Sequence, residues 1–178
     1  LLQHLGVALP HRGQVVGLRA ADQALEELER KMHERLAGAR SPEQIIVVIG
    51  GLHGCRAWRG PNEYTPTDAG LRLLSVLRDG PSVGIHGVVW TDTLATLARV
   101  ATQDASEQCA HRVALHLSPD ESIKLLDSPA AGQLDSINPR ALYRDQTWPT
   151  GRMPKMKPYA APSTQDLATI GAIVKSRP

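Results

Sequence analysis

The chain alternates short apolar segments with amphipathic ones, and this alternation restricts its possible folds more than any other feature. Ile45–Ile49 is continuously apolar, which is typical of strands buried on both faces of a parallel sheet. Further strand-like segments lie at Gly84–Trp90, Arg112–Leu117 and Arg140–Arg144. Strands that alternate with helices of about ten to fifteen residues predict βαβ units. We therefore expect an α/β fold in which the four strands are neighbours in one mainly parallel sheet, with helices on both faces.

Apolar residues at steps of three and four indicate helices between these strands. The first helix presents one apolar face, formed by Leu25, Leu28, Met32 and Leu36. A second helix is expected to start with Thr65 as its cap and Pro66 at its first position. Ser118 and Glu121 have the spacing of a capping box and predict another helix start.

The length of 178 residues is enough for one domain with a core, so 1–178 is expected to form a single domain. Gln14–Arg19 is expected to be a first short strand. Residues 145–178 are expected to add a C-terminal hairpin and a helix over about Thr164–Val174. The chain starts at Leu1 rather than Met, which favours a piece of a longer polypeptide.

Composition excludes some classes of function. The longest apolar run is far shorter than the ~20 residues that a membrane span needs, so no membrane segment is expected in this chain. A net charge of +2 does not by itself indicate nucleic-acid binding. Cys55 and Cys109 form no C-x-x-C pair and are expected to be free thiols in a reducing compartment.

Three short motifs bear on catalysis, metal binding or nucleotide binding. Gly80–Gly84 reads G-x-S-x-G, but it follows a helix and precedes a strand, the reverse of the order that a nucleophile elbow needs. His53 and Cys55 lack the ligand spacing of a structural zinc module, so no metal site is expected. The chain contains no G-x-x-x-x-G-K-[ST] phosphate loop.

Several segments in succession resemble the second half of the FtsK/SpoIIIE DNA-translocase motor domain. They are "IIVVIGGLHG", "GIHGVVWTDT", "HRVALHLSPDESIKLLDSPAAGQL", "RALYRD" and "KMKPYAAPSTQDLATI". "GIHGVVWTDT" is similar to the family's sensor strand, and "ALYR" to the strand that carries its Gly-Asp-Met-Leu-Tyr. The resemblance covers the chain from about Ala20 to its C-terminus. It implies a RecA-like P-loop ATPase half-domain that lacks the Walker A half.

The departures from the family's pattern concern its chemistry. The Walker B strand of the family ends in Asp-Glu, and Gly50 and Gly51 stand at that position here. Glycine has no side chain to hold Mg²⁺ or to orient water, so the family's hydrolysis does not carry over to these positions. Asp92 stands at the sensor position of the family. Arg112 matches the arginine that opens the third strand and is a candidate arginine finger.

The resemblance also implies partners. In the longer protein these would be ATP with Mg²⁺, duplex DNA and identical copies in a six-membered ring, in the cytoplasm. Neither ATP nor Mg²⁺ is expected to bind to this chain alone. The loop after the first buried strand matches the channel-facing loop of the family, and it carries Arg56 and Arg59 around Trp58. We expect the two arginines to contact DNA phosphates.

Three hypotheses stay open from the sequence. The first is a catalytically degenerate motor module used for ring assembly, regulation or DNA contact. The second is the C-terminal half of a working ATPase, with its water-activating group supplied by Asp92 or by a neighbouring subunit. The third is a partner-binding scaffold that binds neither nucleotide nor DNA.

Overall fold

A computed structural model describes residues 13–39, 41–149, 151–160 and 162–175. Its helices and strands are, in chain order, α1 (Ala21–Leu36), β1 (Ile45–Gly50), α2 (Asp68–Asp79), β2 (Ile85–Trp90), α3 (Leu94–Ala101), β3 (His111–Ala114), α4 (Pro119–Leu126), β4 (Ala141–Asp145), β5 (Lys155–Met156) and α5 (Thr164–Lys175). The chain divides into two compact units. Leu18–Lys157 forms one, which contains every element except α5.

β1 and β2 form a parallel pair, as the sequence predicts. Their register places Ile45 opposite Ile85 and Gly50 opposite Trp90. One face of the pair packs against α1 and α2 in the larger of two hydrophobic clusters. The approach of α2 is close, because a Cβ added at Gly87 would lie 2.5 Å from the Leu77 Cδ2. This pair and its two helices form the framework on which the carboxyl ends of the strands are positioned.

The opposite face of the β1–β2 pair is largely apolar and is not covered by any described residue, and the exposed His86 lies on it opposite Ile46. Its exposed fractions are 69 % at Ile46, 50 % at Val48, 54 % at Val88 and 57 % at Trp90. The expectation that Ile45–Ile49 is buried on both faces is therefore wrong, because burial alternates along β1. Among the described residues, helices cover one face of this sheet and not both, which corrects the expected layering.

The expectation of one four-stranded parallel sheet is also wrong. β3, β4 and β5 form a second sheet, and both of its pairings are antiparallel. The chain after β3 explains the direction of β4. The buried Ser122 hydroxyl of α4 accepts a hydrogen bond from Ala131 N at 2.9 Å, so the segment after α4 folds back onto it. The chain thus returns to the end of β3, and β4 starts beside it and runs antiparallel to it.

Helix caps agree with the sequence in part. Ser118 caps α4 by accepting from the Glu121 N–H, as predicted. The cap of α2 is Thr67, two residues after the predicted Thr65, and it accepts from the Gly70 N–H. Leu36 is half exposed, whereas the other three residues of the predicted α1 face are buried. Gln14–Arg19 forms no strand, since a short 3₁₀ turn begins at Leu18.

Two further segments are placed as expected. β5 follows β4 in an antiparallel pair, which is the C-terminal hairpin, and α5 occupies the last predicted helix.

Gly80–Val83 is a 3₁₀ turn between α2 and β2, a position that does not suit a nucleophile elbow. No helix of the described residues has the length and apolar character needed to cross a bilayer.

Candidate functional site at the carboxyl ends of the parallel strands

The carboxyl ends of β1 and β2 lie side by side, at the edge where α/β proteins commonly bind ligands. Gly51 follows β1 with a φ of +81°, a left-handed conformation that favours glycine. A Cβ added there would lie 3.3 Å from His53 Cε1 and 3.4 Å from Trp90 Cζ3. Both the backbone conformation and the neighbouring side chains therefore favour glycine at this position, where the family that the sequence resembles has an acid.

Asp92 is the acid nearest to this edge in the chain segment after β2. Its Oδ1 accepts from the Thr93 N–H at 2.9 Å and lies 4.0 Å from His53 Nδ1. Desolvation acts to raise the pKa of Asp92, but hydrogen bonds from the Thr96 hydroxyl and from the backbone outweigh it and lower the pKa. An ionised carboxylate that is already hydrogen-bonded is a weak general base, and it retains its charge for a cation.

His53 connects the two strand ends. Its ring meets the Trp90 ring edge-on, with 5.6 Å between centroids. Its carbonyl oxygen accepts from Arg59 Nη2 at 2.6 Å. His53, Trp90 and Asp92 are thus brought together, although the sequence singled out only Asp92 among them at this edge. In the described residues, no group of three or more His, Cys, Asp or Glu side chains is arranged to hold a metal ion.

The two arginines predicted to contact DNA lie in different clefts. Arg56 lines a cleft with Asp22 and the 3₁₀ turn at Leu18. Arg59 lines another, whose further lining residues are Asn62, Glu63, Tyr64, Ala95, Thr96 and Arg99. Trp58 between them is buried, 5 % exposed, and its indole N–H donates to the Asp22 carboxylate. In this conformation the Trp58 ring is not available to stack on a base.

Arg112 is held inside this chain. Its side chain is 9 % exposed. Nε donates to the Cys109 carbonyl and Nη1 to the Leu125 carbonyl, each at 3.1 Å. The guanidinium therefore joins the start of β3 to the end of α4.

Sequence reasoning did not single out Arg99, which lies on α3 and shares the cleft of Arg59. Arg99 stands three residues after Thr96 and four after Ala95, so the three side chains lie on one helix face. This spacing could have indicated a shared face. It could not have indicated that the loop carrying Arg59 packs against that face.

A comparison with solved structures found a likeness that concerns the fold. No protein-family model matches the chain, and no curated protein matches it. Among solved structures, it is similar to the cytoplasmic domain of the Thermomonospora curvata type VII secretion ATPase EccC, with a TM-score of 0.58 and 16 % identity. The match covers 88 % of this chain and 20 % of that one. The chain thus shares the mixed α/β fold of part of an ATPase domain and spans about a fifth of its length.

Proposed function

We propose that this chain is a catalytically degenerate module of an FtsK/SpoIIIE-like motor protein, in which it serves assembly or regulation of the motor rather than ATP hydrolysis. The observation that carries the proposal is the end of β1. Gly50 and Gly51 stand where the resembling family has its acids, and the φ of +81° at Gly51 disfavours any other residue there. The site therefore has no side chain to hold Mg²⁺ from this strand.

Two further observations support a role within a motor. The sequence resembles FtsK/SpoIIIE motor domains over most of its length, and the fold is similar to part of a secretion ATPase. A six-membered ring, duplex DNA as a partner, ATP with Mg²⁺ in the longer protein and a cytoplasmic location are part of the proposal and follow from the resemblance. A RecA-like core is likewise proposed.

The uncovered face of β1 and β2 supports assembly. Parallel sheets in α/β proteins are almost always covered on both faces. We propose that the rest of a longer motor polypeptide covers this face, because the similar ATPase fold belongs to a chain more than four times as long. The face carries the apolar side chains of Ile46, Val48, Val88 and Trp90, with the exposed His86 beside Ile46 at one end of it.

The proposal is tested by Mg²⁺-dependent ATP turnover of the purified chain. We expect no turnover above a buffer blank, because the chain has neither a phosphate loop nor an acid at the end of β1. Asp92→Ala is the matched variant and is expected to behave like the unchanged chain. Turnover that Asp92→Ala abolishes would contradict degeneracy.

One observation favours the second hypothesis, the C-terminal half of a working ATPase. Asp92 Oδ1 lies 4.0 Å from His53 Nδ1, so a carboxylate is present beside the strand ends. Its lowered pKa suits it to hold a cation rather than to act as a strong general base. Turnover sensitive to Asp92→Ala would promote that hypothesis. A scaffold with no nucleotide or DNA partner is the third, and it would gain if neither turnover nor anion binding is found.

A further inference from the structure

A cleft of about 430 Å³ lies between α3 and the loop that follows β1. We propose that this cleft, called here the Arg59–Arg99 cleft, binds a phosphate group through its two guanidinium ions. It is lined by Arg59, Asn62, Glu63, Tyr64, Ala95, Thr96 and Arg99. The phosphate belongs either to a nucleotide or to a nucleic-acid backbone. This inference does not depend on whether the chain is part of a motor.

The loop that carries Arg59 is held in place by backbone contacts. Gly60 N–H donates to the Arg99 carbonyl at 2.8 Å, which ties the loop to α3. A Cβ added at Gly60 would lie 1.9 Å from the Thr65 carbonyl oxygen, so the loop closes tightly on itself. The Thr67 hydroxyl donates to the Trp58 carbonyl at 2.8 Å. These contacts fix Arg59 against α3 before any ligand arrives, which lowers the entropic cost of binding.

The Arg59 guanidinium has hydrogen-bonding capacity to spare. One N–H is satisfied by the His53 carbonyl at 2.6 Å. Its Nε is buried and has no hydrogen-bond acceptor among the described groups. Leaving a donor of a cationic group unsatisfied in a buried position costs free energy. The Nη1 group has no hydrogen-bond acceptor among the described residues either, so an anion in the cleft can accept from it.

Arg99 brings a second positive charge to the same cleft. Its side chain is exposed, and no hydrogen bond or ion pair of the described residues engages its guanidinium. Glu63 is the carboxylate of the cleft, and its hydrogen bond with the Tyr64 hydroxyl raises the pKa of Tyr64. Two arginines and one glutamate leave a net charge of +1 at the cleft wall.

These features favour phosphate over other ligands. Guanidinium groups donate to phosphate oxygens with two parallel hydrogen bonds, and a phosphate offers oxygens in several directions to two such groups at once. The cleft of Arg56 has the same charge balance, with Arg19, Arg56 and the Asp22 carboxylate, but among the described residues no buried guanidinium atom there lacks an acceptor. Arg56 thus provides a matched control: an arginine from the same loop that lies outside the Arg59–Arg99 cleft.

The experiment titrates the intact chain with inorganic pyrophosphate at low salt, with nuclear magnetic resonance of the arginine Nε–H groups as the readout. We expect the Arg59 Nε–H resonance to shift until the cleft is saturated with pyrophosphate. The reason is that a phosphate bound to the guanidinium changes the electrostatic field at Nε. Arg59→Gln and Arg99→Gln are each expected to weaken binding about tenfold, the loss of a charged hydrogen-bonded contact. Arg56→Gln is expected to change the affinity less than about twofold.

The source of the phosphate is read from two further titrations. Competition of ATP with pyrophosphate for the cleft indicates a nucleotide. Binding of a short DNA duplex, with a slope of log affinity against log salt that Arg99→Gln reduces by about one, indicates a nucleic-acid backbone.

Three outcomes would overturn the proposal. One is the absence of saturable pyrophosphate binding at low salt, where electrostatic attraction is strongest. The second is an equal loss of affinity in Arg56→Gln and Arg99→Gln, which would indicate general attraction to basic residues. The third is a loss in only one of the two cleft variants. Because Arg99 is exposed, Arg99→Gln is expected to fold normally, which circular dichroism checks.

Discussion

At the scale of single residues, Arg112 is where a family-derived role and the observed contacts differ most. The resemblance makes it a candidate arginine finger, a group that reaches toward a neighbouring subunit. The residue is instead only 9 % exposed, and its guanidinium donates to the Cys109 and Leu125 carbonyls. By donating to two backbone carbonyls in a buried position, the Arg112 guanidinium stabilises the fold of this chain. Its role as an arginine finger stays a prediction.

Arg112→Ala is expected to destabilise the fold by about 2 to 4 kcal/mol, because it removes two charged hydrogen bonds and leaves two carbonyls unpaired. Denaturant unfolding measures this loss. Arg99→Ala is the control and should change stability by less than about 0.5 kcal/mol, since Arg99 is exposed and unpaired among the described groups. A loss as small as the control's would mean that the Arg112 guanidinium is free to serve a neighbouring subunit.

At the scale of elements, the β1–β2 pair has one face in the core and one in solvent. Ile46, Val48, Val88 and Trp90 form the exposed face. A large apolar patch on a sheet is typical of a surface that another polypeptide covers. We expect the isolated chain to bind an apolar fluorescent dye at this face.

Val48→Thr/Val88→Thr is expected to lower dye fluorescence by roughly half, because it replaces two of the four apolar side chains with polar ones of similar shape. Threonine keeps the strand propensity of valine, so the fold should persist. Val113→Thr, an exposed valine of the other sheet, is the control and should have little effect. If sedimentation shows a discrete dimer that the double variant dissociates, a second copy covers this face, and the proposed cover by a longer polypeptide is contradicted.

At the scale of the whole molecule, stability rests on two separate hydrophobic clusters and on many short-range polar contacts. The larger cluster joins α1, α2 and the β1–β2 pair, and the smaller lies between α4 and the second sheet. Several aspartates are hydrogen-bonded in the fold. The Arg78 guanidinium lowers the pKa of Asp79, the Thr147 hydroxyl that of Asp145, and the Ser163 hydroxyl that of Asp166.

These shifts predict acid sensitivity. A carboxyl group whose pKa is lower in the folded state than its ordinary 3.8 stabilises the fold above that pH. The contribution is lost as the pH falls through the folded-state pKa. We expect the urea midpoint to fall below about pH 4, and to fall less at high salt because Asp166 is exposed and Asp79 is partly exposed.

The pH dependence is measured by urea unfolding at a series of pH values between 7 and 3. Asp145→Asn serves as the comparison, since asparagine cannot titrate, and its midpoint should fall less steeply in acid. A midpoint that stays constant down to pH 3 would contradict the assignment of these hydrogen bonds to the folded state.

Local sequence patterns determined most of the helices and strands. The spacing of Leu25, Leu28 and Met32 fixes the buried face of α1, and Ser118 with Glu121 fixes the start of α4. The sequence also predicted that β1 and β2 are parallel neighbours, and it showed the two glycines at the end of β1. These features depend on residues a few positions apart, so the chain itself carries the information.

Only the tertiary structure decided how those elements meet. Continuous apolar character in Ile45–Ile49 indicated burial on both faces, yet alternate residues face solvent, because apolar character alone does not specify what covers a strand. The direction of β4 depends on a fold-back fixed by Ser122 and Ala131. Arg59 and Arg99 share a cleft although 40 positions separate them, because Gly60 hydrogen-bonds to α3. Contacts of this kind join distant parts of the chain, and no short-range pattern encodes them.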